Sequence, residues 1–169
     1  MIRFLLLTCV ICYAAGISFA QSDFRFRNYT INDGLSQSSV TSIVQDELNS
    51  LWIGTQDGLN RFDGNSFEIF VSDDTEGLES SYIRCSELGK NSTVWFGTNN
   101  GLTKFDLSKE EFKTYSNKNT SALRIVDLDI DNGNTIWLAT EESGLFSFDI
   151  NKGSFVEHIK SIPSIIRVK

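Results

Sequence analysis

Three stretches of the chain alternate apolar and polar residues with a period of two: Val40 to Asp46, Tyr82 to Leu88 and Arg124 to Ile130. The clearest is Ile125-Val-Asp-Leu-Asp-Ile. Alternation of this kind predicts half-buried β-strands. A polar turn follows each one, at Glu47–Ser50, Gly89–Thr93 and Asp131–Thr135. Then come tryptophan-centred apolar runs: Leu51-Trp-Ile-Gly-Thr, Val94-Trp-Phe-Gly-Thr and Ile136-Trp-Leu-Ala-Thr. A glycine turn (Gly58, Gly101, Gly144) leads to a short strand ending at Phe62-Asp63, Phe105-Asp106 or Phe148-Asp149. A last strand is led by Phe67, Phe112 or Phe155. Each copy therefore reads as four short antiparallel strands.

The copies are evenly spaced, with Trp52 and Trp95 43 residues apart and Trp95 and Trp137 42 apart. Four-stranded units at this period are the signature of β-propeller blades. The expected fold is all-β: three blades around 36–71, 80–115 and 123–158, with the alternating strand innermost in each. The repeat positions are Trp52, Gly54, Gly58 and Phe62; Trp95, Gly97, Gly101 and Phe105; and Trp137, Gly144 and Phe148. The third copy has Ala139 in place of the strand glycine and one extra residue before Gly144. The tryptophans are expected to pack between neighbouring blades, since a repeat unit cannot bury its own faces alone. The turn glycines should supply a positive φ, and Asp63, Asp106 and Asp149 should close turns through their side-chain oxygens.

Both flanks extend the pattern. Phe24–Tyr29 followed by Asp33-Gly-Leu35 is similar to Phe67–Phe70 followed by Glu76-Gly-Leu78. It predicts an outer strand that would complete the final blade of a closed ring. Ile162 to Val168 is similar to the start of a further inner strand, giving the beginning of another blade at 162–169. Propellers close with typically four to eight blades, so the expectation is a fragment of a longer protein or a product that must assemble.

The first residues change the picture of where the chain works. Met1-Ile2-Arg3, the apolar run Phe4–Ile17 and the small-x-small Ser18-Phe19-Ala20 predict a signal peptide over 1–20, with 21–169 as the mature partial propeller. The alternative is a membrane anchor, for which the run falls short of the ~18 residues that spanning requires. Neither Cys9 nor Cys12 has the small residues before it that lipid attachment needs, and cleavage would leave Cys85 as the single thiol. Export with one cysteine argues against a disulfide framework. A net charge of −7 opposes binding to a phosphate backbone, so no nucleic-acid partner is expected.

The phrases Asn28-Tyr-Thr-Ile-Asn-Asp-Gly-Leu-Ser-Gln-Ser-Ser-Val40 and Leu51-Trp-Ile-Gly-Thr-Gln-Asp-Gly-Leu-Asn-Arg-Phe-Asp-Gly64 carry a family resemblance. The chain resembles the opening of the two-component regulator propellers, the periplasmic sensor regions of hybrid histidine kinases of Bacteroidetes-type bacteria. The resemblance covers nearly all of the mature chain, and Ala139 departs from it. It implies a periplasmic module that detects an extracellular, often carbohydrate-derived, ligand. In a parent protein it would be joined to further propeller, membrane-helix and kinase segments. Any kinase activity would belong to such a parent.

Candidate chemistry in the residues is sparse. His158 stands alone between Glu157 and Ile159 on a predicted outer strand and reads as a solvated residue without a metal set. Asp127-Leu-Asp-Ile-Asp-Asn-Gly133 is similar to a calcium loop, but its glycine falls one place late and Leu138 stands where a bidentate glutamate is needed. No Gly-x-Ser-x-Gly elbow is present. The sequons at Asn28, Asn91 and Asn119 matter only in a eukaryotic secretory route. No catalytic, cofactor or metal residue is assigned. The leading expectation is a binding module without catalysis. The alternatives are part of a propeller lyase or hydrolase, or a structural platform for self-association or further blades.

Overall fold

The computed structural model describes residues 26–117, 123–131 and 134–159. The signal segment, the stub at 162–169, Pro163, Asn119 and Phe24 lie outside the described residues. Twelve strands form three separate four-stranded antiparallel sheets. The first contains β1 (Val40–Gln45), β2 (Leu51–Thr55), β3 (Leu59–Phe62) and β4 (Phe67–Phe70). The second contains β5 (Ile83–Leu88), β6 (Thr93–Thr98), β7 (Gly101–Asp106) and β8 (Glu111–Tyr115). The third contains β9 (Ile125–Ile130), β10 (Thr135–Thr140), β11 (Gly144–Asp149) and β12 (Ser154–Ile159). Within each sheet the strands pair in chain order, as tight hairpins dictate. These are propeller blades. β5 lies against both β1 and β9, so the first strands adjoin from blade to blade on the inner side of the stack.

Alternation along the tryptophan strands decides which blade each side chain meets. Val94 and Phe96 of β6 join Trp52, Leu59, Leu78, Ile83 and Phe105 in one core between the first two blades. Trp95, on the opposite face of β6, joins Leu102, Ile125, Ile136, Leu138 and Phe148 in the next. Trp52 is fully buried and Trp95 is 2% exposed, whereas Trp137 is 37% exposed on the outer face of the third blade. Burial of an indole contributes about 4–6 kcal/mol on apolar area alone. Trp137 forgoes much of that contribution here.

The strand glycines owe their identity to the same stacking. A Cβ on Gly54 would lie 2.7 Å from Ile83 Cγ2, and one on Gly97 would lie 2.6 Å from Ile125 Cγ2. The first strand of the next blade therefore approaches too closely for any side chain. Ala139 is tolerated because it sits on the third blade's exposed outer face.

The expected outer strand before the first blade differs in the structure. Residues 26–30 have no regular secondary structure, because a strand needs a ladder partner and none of the described residues pairs with them. Tyr29 nevertheless packs edge-on against Phe62 at 5.0 Å and Phe67 at 5.5 Å. Phe70 packs likewise against Phe112 at 5.1 Å, and Tyr115 against Phe148 at 4.8 Å. Tyr29 thus takes the position of a preceding blade's fourth-strand aromatic. A short 3-10 turn at Ile31–Asp33, capped by Thr30, then brings Leu35 down onto Ile53 and Phe62.

Candidate functional site

The two ends of the blade stack differ in chemistry. One end carries the turns between first and second strands and between third and fourth strands, where the predicted aspartate turns form. Asp63 Oδ1 accepts from the Asn65 and Ser66 amides at 2.8 and 2.7 Å. Asp149 Oδ1 accepts from the Asn151 and Lys152 amides, both at 3.0 Å, and Asp106 Oδ1 accepts from the Ser108 hydroxyl at 2.6 Å. These bonds stabilise the charged carboxylate and hold all three below the usual range. The main cause is the Ser66 amide for Asp63, the Ser108 hydroxyl for Asp106 and the Lys152 amide for Asp149.

The other end is built by the second-to-third strand turns and by the segments leading into the first strands. Gly58, Gly101 and Gly144 adopt φ of 153°, 126° and 87° there. At Gly101 a Cβ would collide with the Tyr115 carbonyl, so close approach as well as φ demands glycine. A threonine fastens each of these turns. Thr55, Thr98 and Thr140 donate their hydroxyls to the carbonyls of Gly58, Gly101 and Gly144 at 2.9, 2.9 and 2.7 Å. They accept in return from the amides of Asp57, Asn100 and Ser143. Sequence reasoning passed over these threonines, although their recurrence three or four residues before each turn glycine was the available signal.

Each first strand enters its blade through a bulge at the same place, between Val40 and Ser42, Ile83 and Cys85, and opposite Ala139/Thr140. A bulge re-aims the side chain it frees. Thr41 uses it to donate to the Ile83 carbonyl at 2.6 Å, tying the first blade to the second. Arg84 uses it to reach Asn99 Oδ1 on its own blade and Glu141 Oε2, 2.9 Å away, on the third. Its guanidinium also lies over the Tyr82 ring at 4.8 Å. Arg124 meets Glu142 at 3.5 Å, and Gln37 bonds Asp57 at 2.8 Å. The result is a rim of charged and amide groups, Gln37, Asp57, Tyr82, Arg84, Asn99 and Glu141, contributed by all three blades. It offers paired donors and acceptors and an aromatic face. Arg84 was invisible as a site residue because only the strand register exposes the bulge.

The remaining sequence candidates are structural. Trp52, Trp95, Phe62, Phe105 and Phe148 are buried in the cores, and Gly54 and Gly97 lie at blade contacts. His158 is exposed, but its Nε2 lies 2.7 Å from Ser147 Oγ and its ring 4.9 Å from Trp137. It is thus the solvent-facing outer-strand residue expected, with its ring held against the blade face. Asp127 spends a carboxylate oxygen on the Leu128 amide. Among the described residues no cluster of three or more His, Cys, Asp or Glu is placed to hold a metal.

Residues 34–57, spanning the first blade's entry, β1 and β2, match the sequence profile of the two-component regulator propeller. The chain carries the two-component regulator propeller repeat. A curated relative, histidine kinase P4 of Formosa agariphila, is 51% identical over 57 residues. That match covers 34% of this chain and 4% of the relative. Among solved structures, the extracellular domain of a hybrid two-component system of B. thetaiotaomicron superposes with a TM-score of 0.69 at 24% identity. It covers 79% of this chain, which spans 20% of that domain. A streptogramin B lyase superposes with a TM-score of 0.59 at 14% identity over 78% of this chain and 43% of the lyase. At those identities the structural matches establish the propeller fold alone. The profile match and the kinase relative support a sensing module. The chain spans less than half the length of each of these proteins.

Proposed function

We propose that this regulator propeller is the extracytoplasmic ligand-sensing part of a two-component system, with no catalysis within the chain. The observation that carries the reading is the 51% identity to a histidine kinase over 57 residues, together with the regulator-propeller match at 34–57. Residues 1–20 serve as a signal peptide and place the blades in the periplasm. A ligand meets the rim around Arg84, Asn99 and Glu141, where three blades contribute side chains to one surface.

Hydroxyl-rich chemistry suits that rim. Amide and carboxylate oxygens accept from hydroxyls, the guanidinium donates to them, and the Tyr82 ring offers an apolar face for a sugar. This agrees with the carbohydrate-derived ligand that the family resemblance implies. The exposed face around Trp137 receives a further blade, from a longer chain or from a second copy. Cytoplasmic kinase activity belongs to a parent protein.

The test is a thermal-shift screen of the 169-residue chain against neutral and acidic oligosaccharides and peptides. The expected result is a ligand that raises Tm, with the shift lost in Arg84→Ala and weakened in Asn99→Ala. A ligand that binds both variants as well as the parent chain would move the site elsewhere. Absence of any shift would overturn the sensing role.

A further inference from the structure

The contact between neighbouring blades is built twice within the chain, from corresponding positions each time. A tryptophan of one blade, Trp52 or Trp95, enters a socket on the next. Val94, Phe96, Phe105 and Phe112 form the socket on the second blade, and Ile136, Leu138, Phe148 and Phe155 form it on the third. The first blade carries the same set, Leu51, Ile53, Phe62 and Phe67, in a cluster that contains no tryptophan.

Strand register extends the correspondence to the inner strands. Val40 pairs with Thr55 as Ile83 does with Thr98 and Ile125 with Thr140, and Ile43 pairs with Ile53 as Leu128 does with Leu138. A blade precedes Ile83, Ile125 and Leu128, and they are 0%, 0% and 7% exposed; Val40 is 50% exposed and Ile43 61%. The third blade exposes the other half of the contact, Trp137. The His158 ring lies 4.9 Å from it, as Phe70 lies 5.7 Å from Trp52 and Tyr115 6.0 Å from Trp95. His158 stands three residues after Phe155, where Phe70 and Tyr115 stand relative to Phe67 and Phe112. The third blade therefore presents a complete tryptophan face, and the first blade presents the socket for one.

We propose that a second copy of this chain stacks head to tail on the first, with Trp137 of one copy entering the socket of Leu51, Ile53, Phe62 and Phe67 on the other. Such a contact joins unlike faces, and it continues the interface that the chain already forms between its own blades. Two copies supply six blades, within the four to eight with which propellers typically close. The proposal rests on the reading that the Trp137 face receives a further blade, and it does not depend on ligand sensing at the rim. Two residues tune the fit. Tyr29 lies against Phe62 and Phe67 where Phe70 lies against Phe105 and Phe112, so His158 of the incoming copy has to displace it. Ala139 stands where Gly54 and Gly97 admit the next inner strand, and its methyl group holds the copies farther apart than blades within the chain. The association is therefore reversible and weaker than the internal contacts.

The test is sedimentation equilibrium of residues 21–169, the chain that the expected cleavage leaves, across a wide range of concentration. Reversible self-association is the expected result. Trp137→Glu and Ile43→Glu, both at exposed positions that leave the fold intact, should each weaken it at least about tenfold, because a charge then enters an apolar contact. Mixed together, the two variants should pair, since each retains the half that the other lacks. Tyr29→Ala and Ala139→Gly should tighten the association. A chain that stays monomeric at every concentration would overturn the second copy and leave the sensing rim untouched. Association that survives Trp137→Glu unchanged would overturn the use of this face, and failure of the two variants to pair would overturn the head-to-tail arrangement.

Discussion

The indole of Trp52 lies 4.6 Å from the ring of Phe105, one blade's second strand against the next blade's third. Phe70 stacks on the indole at 5.7 Å and 23°, and Phe96 and Phe112 pack around it. Five aromatic rings from two blades thus hold one contact together. Trp52→Ala should destabilise the chain by about 3–5 kcal/mol. Trp137→Ala, at a ring 37% exposed, should cost about 1 kcal/mol or less. Urea denaturation of both variants checks the contrast, and equal losses would contradict the blade-to-blade stacking.

Gly97 tests the approach of one blade to the next. Its missing Cβ leaves room for Ile125 Cγ2 and for the Cys85 sulfur. Gly97→Ala should therefore destabilise by about 1–3 kcal/mol, the range for overpacking a filled core. Adding Cys85→Ala, which removes the sulfur nearest the new methyl, should recover part of the loss in a double-mutant cycle.

The aspartate turns set an acid limit. Asp63, Asp106 and Asp149 titrate below the ordinary carboxylate range in the folded chain. The unfolded chain therefore binds more protons in acid, since its aspartates keep a pKa of about 3.9. Their stabilising contribution is complete above that value and disappears as pH falls through the lower folded values. Denaturation midpoints should fall steeply below about pH 4, and Asp149→Asn should flatten part of that slope.

Cys85 should be chemically inert while the chain is folded. Burial, reinforced by the charge of Asp127, pushes its thiol up to about 12. Because thiolate is the reactive form, iodoacetamide at pH 8 should leave a chain of residues 21–169, in which Cys85 is the single cysteine, unmodified when native and label it once in denaturant, as mass spectrometry would show. Rapid native labelling would mean that the inner strand opens readily.

Much of the fold was legible because the repeat states it three times. A tryptophan at a fixed offset from a glycine turn, after an alternating strand, admits few structures other than a stacked four-stranded blade. The aspartate turns were legible for a local reason, since their bonds reach only two or three residues along the chain. The rim was not legible. Arg84 meets Glu141 across 57 positions, through a bulge that leaves no trace in the alternation. His158 was legible as an exposed outer-strand residue, whereas its contacts with Ser147 on β11 and Trp137 on β10 depend on the folded sheet.

The central claim, that these regulator-propeller blades work outside the cytoplasm, is tested most directly with an alkaline phosphatase reporter. The enzyme is fused after Lys169 and expressed in a Gram-negative host, with and without residues 1–20. It is active only where its own disulfides form, beyond the inner membrane. The account predicts strong activity for the whole chain and its loss when residues 1–20 are removed. An inactive whole-chain fusion that accumulates stably in the cytoplasm would contradict it.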